Sequence, residues 1–264
     1  MLSILLGLIV LATLIFRRFP EIDIEASRLF YDQGFYLSDQ PLWRSIRSLS
    51  IVLTKLLVPL LVVLWIIRLW RPKVPQLLSF ARLGFVSVSL IMGPLLITNL
   101  VLKDHWGRAR PRSLDIFGGD KDYSLPWSLS DQCVSNCSFI SGETSSALWL
   151  LTLIVFLPLQ WHGRAVVAVG LYTLLISTLR IGFGGHFLSD TIFSILVNML
   201  AFWWVWGWFF DRGTNPHPLA WANETRANGY FYSFRQASHR LATTISLLIT
   251  LAYSRAMDKV RRKI

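Results

Sequence analysis

Residues 83–102 read LGFVSVSLIMGPLLITNLVL, a run without a single charge, and a helix needs about 20 mostly apolar residues to cross the hydrocarbon of a bilayer. The run stops at Lys103, where a basic polar stretch begins. Five more apolar runs lie at 2–16, 51–67, 144–159, 165–179 and 191–210. Pro59, Pro94 and Pro158 fall inside or at the ends of these runs, which membrane helices tolerate because neighbouring groups satisfy the freed carbonyls. The first run has no charged segment before it and no small-residue cleavage site after it, so it reads as a span that stays rather than a signal peptide. Composition agrees: of 264 residues, 53% are hydrophobic and 16% charged, against about 45–50% and about 25% in a soluble domain. A single soluble core is excluded. The expected fold class is an all-α integral membrane protein, a six-transmembrane-helix bundle.

Six spans place both termini on one side. Lys and Arg total 26 against 15 Asp and Glu, a formal charge of +11, and the basic residues sit between and after the apolar runs. That arrangement suits anionic lipid and the positive-inside bias rather than nucleic acid. Arg68, Arg71, Lys73, Arg82, Arg164 and the basic residues after Asp211 favour cytoplasmic termini, although Arg17 and Arg18 break the rule locally. Residues 1–212 then form the membrane domain and 213–264 a basic cytoplasmic tail. Within the tail the apolar run 241–253 is too short to span. With Arg255, Lys259, Arg261, Arg262 and Lys263 beside it, it reads as a cytoplasmic amphipathic C-terminal helix on the inner leaflet, a seventh tilted span being the alternative. Cys133 and Cys137 share one polar loop. Their pairing as a disulfide would indicate an oxidising compartment; free thiols are the other reading, and no short-spaced four-ligand set suggests zinc.

Three polar clusters border the spans on the outer side. The first, Lys103 to Pro111, brings Lys103, Arg108 and Arg110 together, and an Arg fork with a Lys point charge suits phosphate oxygens, although cations at such a border also snorkel. The second holds Ser141, Gly142 and Glu143. Ser141 can cap the helix that follows, and free N–H groups at a helix start can hold an anion beside Gly142. The third contains Arg180, His186 and Asp190. A spacing of four puts His186 and Asp190 on one helical face, where an Asp accepting one ring N–H leaves the other nitrogen free as base or nucleophile.

In order, Lys-x6-Arg-Pro, Ser-Gly and Arg-x5-His-x3-Asp within six spans resemble the type 2 phosphatidic acid phosphatase superfamily of membrane lipid phosphatases. The resemblance implies that Lys103, Arg110 and Arg180 bind the phosphoryl group, that Ser141 and Gly142 add donors, and that His186 is the nucleophile with Asp190 as its partner. No metal or other cofactor is expected, because three cations neutralise the charge that a magnesium ion would carry and the clusters lack the several carboxylates such an ion prefers. The sequence departs from the family in two places: Leu179 stands where a Ser is usual, and Glu143 where the second motif has the histidine that protonates the leaving group. A raised pKa would let Glu143 take that role, while nearby cations oppose it. The long outer loop, with residues 117–120 and 131–139, resembles that of bacterial lipid A phosphatases acting at the 4′ position. The implied substrate is a lipid A or phospholipid phosphate at the periplasmic face of a bacterial inner membrane. Undecaprenyl pyrophosphate, phosphatidylglycerophosphate and phosphatidate are alternative substrates, and a phosphotransferase would share every site residue. An anion-binding membrane protein without chemistry is the more distant alternative.

Overall fold

The computed structural model describes residues 1–70, 78–210 and Thr243–Thr244. These residues form α1 (Leu2–Arg18), α2 (Glu21–Arg28), α3 (Pro41–Trp70), α4 (Phe80–Lys103), α5 (Gly142–Phe156), α6 (Leu159–Gly182) and α7 (Leu188–Phe210). No strand occurs among the described residues, only two isolated bridges, Tyr31 with Phe35 and Leu114 with Lys121. The tail 213–264 and its C-terminal helix lie outside the described residues apart from Thr243 and Thr244, which are helical.

Four helices, α3, α4, α6 and α7, are long and apolar enough to cross a membrane. The pair α1 and α2, bent by 82°, adds a fifth if it counts as one span. The expected span at 144–159 is instead the shorter apolar helix α5, with 8 residues of α-helix and then 7 of tighter 3-10 turns. Because a 3-10 turn rises about 2.0 Å per residue and an α-helix about 1.5 Å, α5 is about 26 Å long.

Local chemistry sets these boundaries. Pro20 precedes α2, Pro41 opens α3 and Pro158 stands just before α6, each at a helix start where a missing N–H costs nothing. Ser79 and Ser141 cap α4 and α5 by accepting the backbone N–H of Arg82 and Thr144. Beyond Leu90, α4 widens into π-type turns around Pro94, where the Asn99 side-chain amide donates to the Pro94 carbonyl at 2.7 Å.

The core is built where α4, α5 and α7 meet, from Leu83, Val86, Leu90, Trp149, Phe202 and Val205. Trp149 is fully buried and donates its indole N–H to the Val86 carbonyl at 3.0 Å. The C-terminal ends of α4 and α6, at Lys103 and Arg180, meet the N-terminal ends of α5 and α7, at Gly142, Glu143 and Asp190, which gathers all three polar clusters.

Candidate active site

Lys103 ends α4, and its ammonium lies 3.5 Å from the Asn99 amide oxygen. Gly142, buried at the first turn of α5, packs against both: a Cβ there would stand 2.9 Å from Asn99 Oδ1 and 3.5 Å from Lys103 Nζ. Only glycine lets the start of α5 approach this closely. The Ser141 hydroxyl accepts from the Thr144 hydroxyl at 2.9 Å and the Thr144 N–H at 3.3 Å. The Ser141 N–H donates to the Asp190 carbonyl at 3.3 Å, which joins α5 to α7.

His186 is buried, and its Nδ1 lies 2.6 Å from the Ser138 carbonyl. That acceptor puts the ring proton on Nδ1 and leaves Nε2 unprotonated. Burial first, then Arg180, Arg110 and Lys103, hold the His186 pKa well below the usual imidazole range. Asp190 was expected to make the Nδ1 contact itself, but it stands 3.8 Å away. Its carboxylate instead accepts from the Ser138 hydroxyl at 2.5 Å and the Phe187 N–H at 2.8 Å. The backbone geometry of Ser138 explains the difference: its carbonyl and its hydroxyl divide the two partners between them.

Arg108, read in the sequence as part of the phosphate-binding charge, is fully buried and serves the framework. It donates to Asp190 at 2.5 Å, Asp23 at 2.9 Å, the Ser189 hydroxyl at 2.9 Å and the Ser124 carbonyl at 2.9 Å, and it lies over the Phe187 ring. Burial alone would lower its pKa, but Asp190 and Asp23 outweigh burial and hold it above the ordinary guanidinium value. Asp23 has no counterpart in the sequence reading. Carried on α2 and fully buried, it also accepts from the Ser189 N–H at 2.8 Å and the Ser189 hydroxyl at 2.6 Å.

Arg110 is held by the outer loop. Its guanidinium donates to the Asn136 carbonyl at 2.7 Å and the Asn136 side-chain oxygen at 3.0 Å, with the Gly185 carbonyl at 3.4 Å. Burial, then Arg112, lower its pKa, yet a guanidinium remains charged throughout the physiological range. Asn136 lies inside the short loop closed by the Cys133–Cys137 disulfide. It adopts φ +50°, a left-handed conformation that Asn tolerates better than most residues.

Glu143, whose role as the acid requires a raised pKa that nearby cations oppose, is doubly ion-paired. Arg47 of α3 reaches it through Nη2 at 2.7 Å and Nε at 2.9 Å, and Arg180 Nη1 lies 3.4 Å from the same Oε1 that Arg47 Nη2 contacts. Arg180 also packs its guanidinium against Gly185, where no Cβ would fit. No group of three or more His, Cys, Asp or Glu that could hold a metal occurs among the described residues.

The residues that form this site fall within a match to the PAP2 superfamily over residues 82–214, apart from Asp23 and Arg47. A lipid A 4′-phosphatase of Rhizobium leguminosarum is 33% identical over 205 residues, covering 71% of this chain and 87% of that protein. Lipid A 4′-phosphatases of Rhizobium etli and Francisella tularensis subsp. novicida are 43% and 38% identical over 114 and 136 residues. Those matches cover 43% and 48% of this chain, and 44% and 58% of the two relatives. No solved structure matches. The family match takes in half the chain, including all three motif clusters, and the first relative aligns over most of both sequences: the chain belongs to the PAP2 superfamily.

Proposed function

We propose that this protein is a membrane phosphatase that removes the 4′-phosphate of lipid A. The observation that carries the reading is the buried imidazole of His186, proton fixed on Nδ1, facing the combined charge of Lys103, Arg110 and Arg180. Its support on the substrate side is the name shared by three relatives.

In this reading Lys103, Arg110 and Arg180 hold the phosphoryl oxygens, and Ser141 and Gly142 border them at the start of α5. Nε2 of His186 attacks phosphorus as the bond to the sugar oxygen breaks, giving a phosphohistidine. Asp190 acts through Ser138, which keeps the ring turned. Water then cleaves the nitrogen–phosphorus bond, releasing phosphate and the free imidazole. The three cations neutralise the charge of the transferred group, so the reaction needs no metal ion.

The membrane arrangement belongs to the same proposal. Residues 1–212 cross the inner membrane six times, α1–α2 as one bent crossing and α5 as a short one. The active site faces the periplasm, both termini lie in the cytoplasm, and residues 213–264 form a basic tail on the inner leaflet. The disulfide suits an oxidising periplasm.

The test presents purified protein in vesicles, with EDTA, to lipid A bearing the 4′-phosphate, undecaprenyl pyrophosphate, phosphatidylglycerophosphate and phosphatidate. Lipid A is expected to release phosphate fastest. Faster release from another lipid would change the substrate, transfer to a lipid acceptor would make the protein a phosphotransferase, and a strict need for added magnesium or zinc would overturn the metal-free step.

A further inference from the structure

We propose that Glu143 acts as a fixed anion that gathers Arg47 and Arg180, and that Arg47, outside all three motifs, is a fourth phosphate-binding cation of the site. The inference rests on the phosphatase reading and concerns how its leaving group departs. The contact between Arg47 and Glu143 joins residues 96 apart in sequence, and its side-on fork is the strong form of an Arg–carboxylate pair. An arginine that merely anchored α3 at the membrane border would need no such partner. Along the rest of α3, Leu49, Val52, Leu53, Leu56 and Leu60 are exposed, so Arg47 is the point where this peripheral helix reaches the catalytic end.

Donors remain for a ligand. Arg47 bonds Glu143 through Nε and Nη2, and its Nη1 makes no hydrogen bond among the described residues. Arg180 Nε is buried without a hydrogen-bond partner, the kind of donor that a bound anion satisfies. Both guanidinium groups converge on Glu143 Oε1, at 2.7 Å and 3.4 Å. The carboxylate thus sets two forks side by side next to Gly142 and Lys103, where the phosphoryl group is held.

The chemistry follows from the charges. A carboxylate between two guanidinium groups favours its ionised form, and an arginine does not give up its proton. Position 143 therefore supplies charge where the superfamily motif supplies a proton. As the His186–phosphorus bond forms and the ester bond breaks, the leaving oxygen takes a proton from water. The hydroxide so formed attacks the phosphohistidine, yielding hydrogen phosphate and neutral His186, so that atoms and charge balance over the two steps.

The experiment measures kcat and KM of Arg47→Gln, Arg47→Lys, Glu143→Gln, Glu143→Asp and the Arg47→Gln/Glu143→Gln double variant in vesicles. The substrates are lipid A and para-nitrophenyl phosphate, and a thermal melt reports folding. Arg47→Gln should raise KM by about 10- to 100-fold, the worth of a hydrogen bond to a charged group. Glu143→Gln should weaken both substrates alike, the double variant should be little worse than the worse single one, and Arg47→Lys and Glu143→Asp should each recover part of the loss. Two results overturn the proposal: Arg47→Gln with an unchanged KM, or Glu143→Gln losing activity on lipid A alone together with the alkaline limb of its pH profile, which would make Glu143 the acid. Wild-type protein that releases phosphate from neither substrate would instead overturn the phosphatase reading beneath it.

Discussion

A buried imidazole among three cations resists protonation. The shift of His186 has a definite sign: only the neutral ring has a free Nε2, and a lowered pKa keeps the ring neutral further into acid. The acid limb of kcat/KM, which reports the free enzyme, is expected below the ordinary imidazole value of about 6.5; a limb at or above it would show that the ring is more exposed or less surrounded by charge. Asp23 carries a second expectation. Its removal leaves the fully buried Arg108 short of a counter-ion, and breaking a buried pair costs about 3–5 kcal/mol. Asp23→Ala should therefore melt far below wild type, whereas a small shift would mean that Asp190 alone balances Arg108. At this scale the sequence was legible as far as position: His186 and Asp190, four apart in the chain, lie near one another, and the motif cations Lys103, Arg110 and Arg180 gather around the ring, but the contact between ring and carboxylate runs through Ser138 rather than directly. It was silent on Asp23, Arg47 and Asn136, because each meets its partner across a long stretch of chain with no local signal. It misjudged Arg108, whose charge is consumed by two carboxylates that only the fold brings to it.

The segment 136–138 touches the site at three places: Asn136 holds Arg110, the Cys137 N–H donates to the Lys103 carbonyl at 3.2 Å, and Ser138 holds His186. The Cys133–Cys137 disulfide closes the loop at the head of this segment. Reduction is expected to raise KM by about 3- to 10-fold, the worth of one or so net hydrogen bonds, with kcat less affected because Ser138 is anchored separately by Asp190. Steady-state kinetics before and after a mild reductant decide it; an unchanged KM would show that Asn136 holds its place without the crosslink. Hydropathy located the apolar runs because lipid demands them, but it missed how far the helices continue beyond those runs. The run 51–67 is the middle of α3, whose first turns bear Arg44 and Arg47. The bend between α1 and α2 and the 3-10 winding of α5 were likewise invisible, since neither changes the hydrophobic count of a segment.

Across the whole molecule, the meeting of the ends of α4, α5, α6 and α7 converts three motifs spread from Lys103 to Asp190 into one site. Helices outside the motifs complete it, α2 through Asp23 and α3 through Arg47. Removal of a lipid A 4′-phosphate by attack of His186 is the claim on which the rest depends. It is tested most directly by mass spectrometry of lipid A from cells that lack this activity of their own and express either the wild-type chain or His186→Ala at equal membrane levels. The account predicts lipid A lacking its 4′-phosphate with wild type and fully phosphorylated lipid A with the variant. Lipid A left intact by the wild-type chain, or dephosphorylated equally by His186→Ala, would contradict it.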